Sequence, residues 1–131
     1  MTMNTQPVYE RIPVVGSVVV SAANTNRDGT GTVVTVLTAG TDGTRIRRIT
    51  IKATATTTAG MIRLFIHDGT NFRLWKEVIV TAITPSAAVE TFEEIIELFG
   101  EDALTLPTTY SLRASTHNAE TFHVTAEGGN Y

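Results

Sequence analysis

The chain has 131 residues, 42% of them hydrophobic, enough to build one domain around a core of its own. It has no cysteine, which excludes disulfides, thiolate metal sites and cysteine nucleophiles together. A net charge of −3 and a pI near 5.5 argue against broad binding to nucleic acid or to anionic membranes.

Residues 1–13 carry Pro7 and Pro13 without periodicity and read as an extended arm, with residues 14–131 as a single domain. Such an arm needs its own sheet or a neighbouring subunit to hold it. Val14 to Ala22 is a β-branched run and a predicted strand, and its run Val18-Val19-Val20 is far too short to cross a bilayer. The N-terminus also lacks the basic, apolar and small-residue succession of a signal peptide.

Asn24-Thr-Asn-Arg-Asp-Gly29 imitates the start of a calcium loop, but Asn stands first and Thr35 falls where the bidentate carboxylate belongs. A turn whose Asn and Asp side chains bond their own backbone accounts for the same residues. Thr32 to Thr38 is the next strand. Arg45 to Thr54 follows, with Ile49, Ile51 and Ala53 on one face and Arg48, Thr50 and Lys52 on the other. Ile46 breaks that alternation, which predicts a bulge near Arg47. The basic cluster of Arg45, Arg47, Arg48 and Lys52 is read as the solvated face of this strand.

Met61–His67 and Phe72–Val80 form the clearest hairpin, turning at Asp68-Gly-Thr-Asn71. A register that sets Asp68 against Phe72 brings Arg63 opposite Glu77, a complementary pair. It places Ile62, Leu64, Ile66, Leu74, Val78 and Val80 on one face. Met61, Phe65, Trp75 and Ile79 then share the other, so that side is either covered by the chain itself or meets a partner.

Val89, Phe92, Ile96 and Phe99 recur at helical spacing, and Gly100 supplies a stop, so a short helix over 86–99 competes with a strand there. The all-β surroundings favour the strand. Adjacent Glu93 and Glu94 would then point to opposite faces and cannot act as a catalytic pair. Tyr110–Ala114 and Thr121–Ala126 alternate as two strands joined as a hairpin by Ser115–Glu120, which lets His117 and His123 approach each other without a third metal ligand in sight. With 24 threonines spread along its length and turn signals between about eight short strands, the chain is expected to be an all-β antiparallel sandwich, jelly-roll-like. No catalytic, cofactor or metal site is expected: there is no nucleophile elbow, P-loop or dinucleotide fingerprint.

Three segments, Thr57-Thr-Ala-Gly-Met-Ile-Arg-Leu-Phe-Ile-His-Asp-Gly-Thr70, Leu106-Pro-Thr-Thr-Tyr-Ser-Leu-Arg-Ala-Ser-Thr116 and Phe122-His-Val-Thr-Ala-Glu-Gly-Gly129, resemble small β-sandwich virion proteins of tailed bacteriophages. Several of that group act as capsid cement or decoration. The likeness covers most of the chain beyond residue 15 and is one of style and segment, so no functional residue set transfers. It implies a protein made in the host cytoplasm that assembles as a dimer or trimer and clamps neighbouring subunits of the major capsid protein on the virion. Neither nucleic acid nor membrane is an expected partner. The expected interface comprises Pro7, Tyr9, Met61, Phe65, Trp75 and Ile79. A tail or baseplate component is the nearest alternative, and a carbohydrate-binding host-attachment module, with Trp75, Tyr110 and Tyr9 as its only aromatic suppliers, a further one.

Overall fold

A computed structural model describes residues 9–131 of the protein. Nine strands form two antiparallel sheets: β1 (Ile12–Val20), β2 (Val34–Thr38), β3 (Thr44–Ala53), β4 (Gly60–His67), β5 (Phe72–Val80), β6 (Glu93–Glu97), β7 (Leu104–Leu106), β8 (Ser111–Thr116) and β9 (Phe122–Asn130). The first sheet runs β1-β9-β3-β6, with β7 also on β3, and the second runs β2-β8-β4-β5. The pairs β1–β9, β2–β8, β3–β6 and β4–β5 are nested one inside the next. That nesting is a long β-ribbon rolled into two facing sheets, the topology of a jelly roll. Strands β6 and β7 line the same edge of β3, opposite Arg48–Lys52 and Thr44–Ile46, so together they act as one interrupted strand. The expected eight-strand sandwich is the fold observed.

The core lies between the sheets and follows from alternation. Ile46, Ile49, Ile51 and Ala53 of β3 and Phe122, Val124 and Ala126 of β9 face Ile62 and Leu64 of β4 and Leu112 and Ala114 of β8. The register of β3 against β9 slips between Ile46 and Arg48, so Arg47 is the extra residue predicted. The bulge turns both Ile46 and Ile49 inward although they are three positions apart. A second bulge in β2, between Thr35 and Leu37, buries Val36 and Leu37 together.

The strand favoured over a helix within residues 86–99 is the element observed: β6 pairs along β3 through residues 93–97, and only the short 3₁₀ turn Gly100–Asp102 follows. The helical spacing of Val89, Phe92, Ile96 and Phe99 is coincidental, because Phe92 is buried while Val89 and Phe99 are exposed. The hairpin expected across Ser115–Glu120 does not form, because β8 belongs to the second sheet and β9 to the first. Alternation cannot tell a hairpin from a crossover between sheets. β1 begins inside the segment read as an arm, where Ile12 and Pro13 pair with Asn130 and Gly129, and Pro13 is tolerated because β1 is an edge; residues 1–8 of that segment lie outside the described residues.

The turn between β4 and β5 is built by Asp68. Its Oδ1 accepts the backbone N–H groups of Thr70 at 2.9 Å and Asn71 at 2.7 Å, while Gly69 takes a φ of 97°. These bonds, Asn71's first, hold the Asp68 carboxyl below its ordinary value of 3.8. A depressed folded pKa stabilises above the unfolded value and ceases to do so as pH falls through the folded one. Asp68→Ala is therefore expected to lower Tm at neutral pH, and the gap from the wild type to close as pH drops below 3.8. Thermal unfolding across pH checks this; a gap that stays constant in acid would exclude the carboxylate as its source.

Candidate functional site

The outer face of the second sheet is where the sequence placed the chain's surplus apolar residues. Arg63 pairs with Glu77 and Met61 with Ile79, as the predicted register required. Nearer the turn the register slips by one, and Trp75 becomes the extra residue of β5. The slip exchanges two side chains: Leu74 turns outward, 38% exposed, and Trp75 turns to pack half-buried against the core.

The segment between β1 and β2 then folds over part of this face. Asn24 N–H donates to Thr116 O, and Gly29, at φ 89°, lies so close to Phe72 that an added Cβ would stand 2.3 Å from the phenyl Cβ. Its side chains bond its own backbone as expected: Asn24 Oδ1 accepts Asn26 N–H at 3.0 Å and Asp28 Oδ1 accepts Thr30 N–H at 3.0 Å. Beneath it Phe65 is fully buried, edge-on to Phe72 at 6.1 Å.

The six residues expected at an interface therefore separate. Phe65 has no accessible surface and is not part of any docking face in this fold. Trp75 faces the seam between the sheets, where it lines a cavity of about 470 Å³ with Glu97, Leu98 and Asp102. The Lys76 ammonium sits 5.0 Å from its ring centroid. Met61 is half-buried beside Ile79, which is 71% exposed, and these two do lie together. Tyr9 is also 71% exposed, at the entrance to β1. Pro7 lies outside the described residues.

Sequence reasoning missed two features. One is that β1, predicted as a strand, stands at a sheet edge, nine residues without a charged side chain, with Val15 and Val19 more than half exposed. Its signal was present in the repeated valines, since Val15 and Val19 stand on the face where alternation would put polar residues. The other is a polar cluster under the covering segment. Arg63, 1% exposed, donates from Nε to Glu77 Oε2 at 3.1 Å, from Nη1 to Asn24 O at 3.2 Å and from Nη2 to His117 Nδ1 at 3.2 Å. Arg27 donates from Nε to the same Glu77 oxygen at 2.7 Å. The Arg27 hydrogen bond above all, then the charges of both guanidinia, hold the Glu77 carboxyl below its ordinary value. Only the Arg63–Glu77 element was readable locally; Arg27 and His117 arrive from distant positions in the chain.

No protein-family model matches this chain, and no curated protein matches it at a significant level.

The remaining sequence candidates resolve into structural roles. In the basic cluster, Arg47 pairs with Glu10, and Arg48 lies 3.3 Å from Glu97 and 3.6 Å from Glu127. His123 points outward from the first sheet opposite Lys52, whereas His117 is engaged by Arg63 on the second, so the two histidines do not meet across a hairpin.

Proposed function

We propose that the protein is a structural component of a tailed-phage virion that binds across subunits of the major capsid protein and stabilises the shell, as a binding protein and not an enzyme. The observation that supports this most is the edge strand β1, which carries no charged side chain and exposes Ile12, Val15 and Val19. Sheet edges are ordinarily guarded by charge, by proline, by bulges or by a covering element; among the described residues β1 has only Pro13 near its start, and the rest of such an edge is a template for another chain. Such docking would add a strand to the sheet by backbone hydrogen bonds, with Val15 and Val19 giving specificity. Ile79 and Met61 on β5 and β4 offer a second apolar patch, each square ångström buried being worth roughly 25 cal/mol. Many such contacts over a shell, and a dimer or trimer of this protein, would turn modest affinity into retention.

The test is head occupancy after heating, for heads built from the cognate capsid protein. Val15→Lys and Ile79→Lys each place one charge on an exposed edge and should alter stability by less than about 0.5 kcal/mol. At least one of them is expected to lower occupancy about tenfold; wild-type occupancy for both would remove the reading.

One observation favours a second reading, a glycan-binding module. Trp75 lines a cavity of about 470 Å³ beside two carboxylates, although the Lys76 ammonium over its ring competes with a sugar for that face. Glycan-array binding that Trp75→Ala abolishes would favour this reading over the shell.

A further inference from the structure

From the hydrogen-bond arithmetic around Arg63 we infer a binding site for a carboxylate anion in the cavity where the covering segment ends on the second sheet. The cavity, about 160 Å³, is lined by Arg27, Ala59, Gly60, Met61, Arg63 and His117. Its polar lining is rich in donors and short of acceptors. Arg63 reaches three acceptors, fewer than its guanidinium has N–H bonds, while 1% exposed. Arg27 uses only Nε on Glu77, and its two Nη groups have no acceptor among the described residues. His117 accepts from Arg63 at Nδ1, so the neutral ring carries its proton on Nε2 and adds another donor.

Most acceptors nearby are already engaged, the exception being Glu120 Oε1, which is buried without a partner among the described residues. Ala59 O takes Asn118 Nδ2 at 3.0 Å, Met61 O takes His117 N–H at 2.8 Å, and Glu77 Oε2 is shared by two guanidinia. Glu120, on the neighbouring turn, is turned to Thr58, whose N–H and hydroxyl both reach its Oε2 at 2.8 Å. Two guanidinia share the one Glu77 carboxylate and keep N–H bonds to spare, a balance that selects an oxyanion, and the planar fork of arginine matches a carboxylate. The apolar walls from Met61 and Ala59 suit the carbon that bears it. The site is independent of the shell reading, since it is defined by the isolated subunit.

The experiment is NMR of the full chain, following the Arg27 and Arg63 Nε–H and His117 ring resonances at fixed pH and ionic strength. Sodium acetate is titrated against sodium chloride. Saturable shifts with acetate but not chloride are expected, and Arg27→Gln should weaken them about tenfold, since charge-assisted hydrogen bonds are lost. The amide spectrum of the variant verifies its fold in the same samples. A blocked peptide with one glutamate distinguishes the source: saturation by peptide and acetate supports an acidic side chain of a protein, and saturation by acetate alone supports a small free anion. Shifts that grow linearly, that chloride reproduces, or that persist unchanged in Arg27→Gln would overturn the site.

Discussion

Gly128→Ala is expected to destabilise the protein by at least about 3 kcal/mol, or to prevent it from folding. Gly128 pairs with Val14 on one side and with Ile46 on the other, where the Arg47 bulge begins. The bulge pushes the β3 backbone towards β9. An added Cβ would stand 1.8 Å from Arg45 O, 2.8 Å from Arg45 C and 2.9 Å from Ile46 Cα. All three are main-chain atoms of a central strand, so no rotamer change relieves the clash. Relief requires parting β3 from β9, which carries the core residues Ile46 and Ala126 with it. Gly100→Ala is the control: its φ of 57° is left-handed but nothing lies within 4 Å of the added carbon, so only the backbone penalty of about 1 kcal/mol applies. Urea denaturation of both variants separates the two causes. Equal midpoints would mean that the sheet yields at the bulge far more easily than its packing implies.

Phe65→Ala should cost about 3–5 kcal/mol, the range for a buried phenylalanine, although the residue faces away from the space between the sheets. It is fully buried, touches Phe72 edge-on and lies alongside Arg113, whose guanidinium is 5.4 Å from the Phe72 ring. Removing the phenyl leaves a cavity beneath the covering segment and exposes one side of the Arg63 cluster to water. Ile79→Ala, on the same outer face but 71% exposed, should change stability by less than about 0.5 kcal/mol. The contrast between the two, measured by thermal or urea unfolding, separates residues that hold the covering segment from residues free to meet a partner. A Phe65→Ala variant as stable as Ile79→Ala would show that the segment does not pack there in solution.

The fold was legible in the sequence because strand alternation and turn chemistry agree with one another. Glycine and aspartate at 68–69 fixed the hairpin, and the misplaced Ile46 disclosed the bulge at Arg47. What stayed hidden depends on contacts between distant segments. The bulge at Trp75 leaves no break in the alternation of β5, so Leu74 and Trp75 were assigned to each other's faces. The crossover between β8 and β9 shares its local pattern with a hairpin. For the site, the excess of apolar residues on β4 and β5 divides between a covered part of the face and an exposed one. The covering segment explains Phe65, and the exposed part keeps Met61 and Ile79. Polar loop residues such as Asn24 and Arg27 gave no hint that they lie over a hydrophobic strand, because their side chains and carbonyls serve the cluster only once the chain is folded.

Rolling the ribbon has a temporal consequence. Ser17 and Thr125 bond across the outermost pair, 108 positions apart, and β9 lies between β1 and β3. During synthesis both of those strands leave the ribosome long before the partner that joins them. Loop closure of that span is entropically costly and slow. For that interval the valines of β1 are bare on both edges, and how fast the last strand arrives decides whether they find it or another nascent chain.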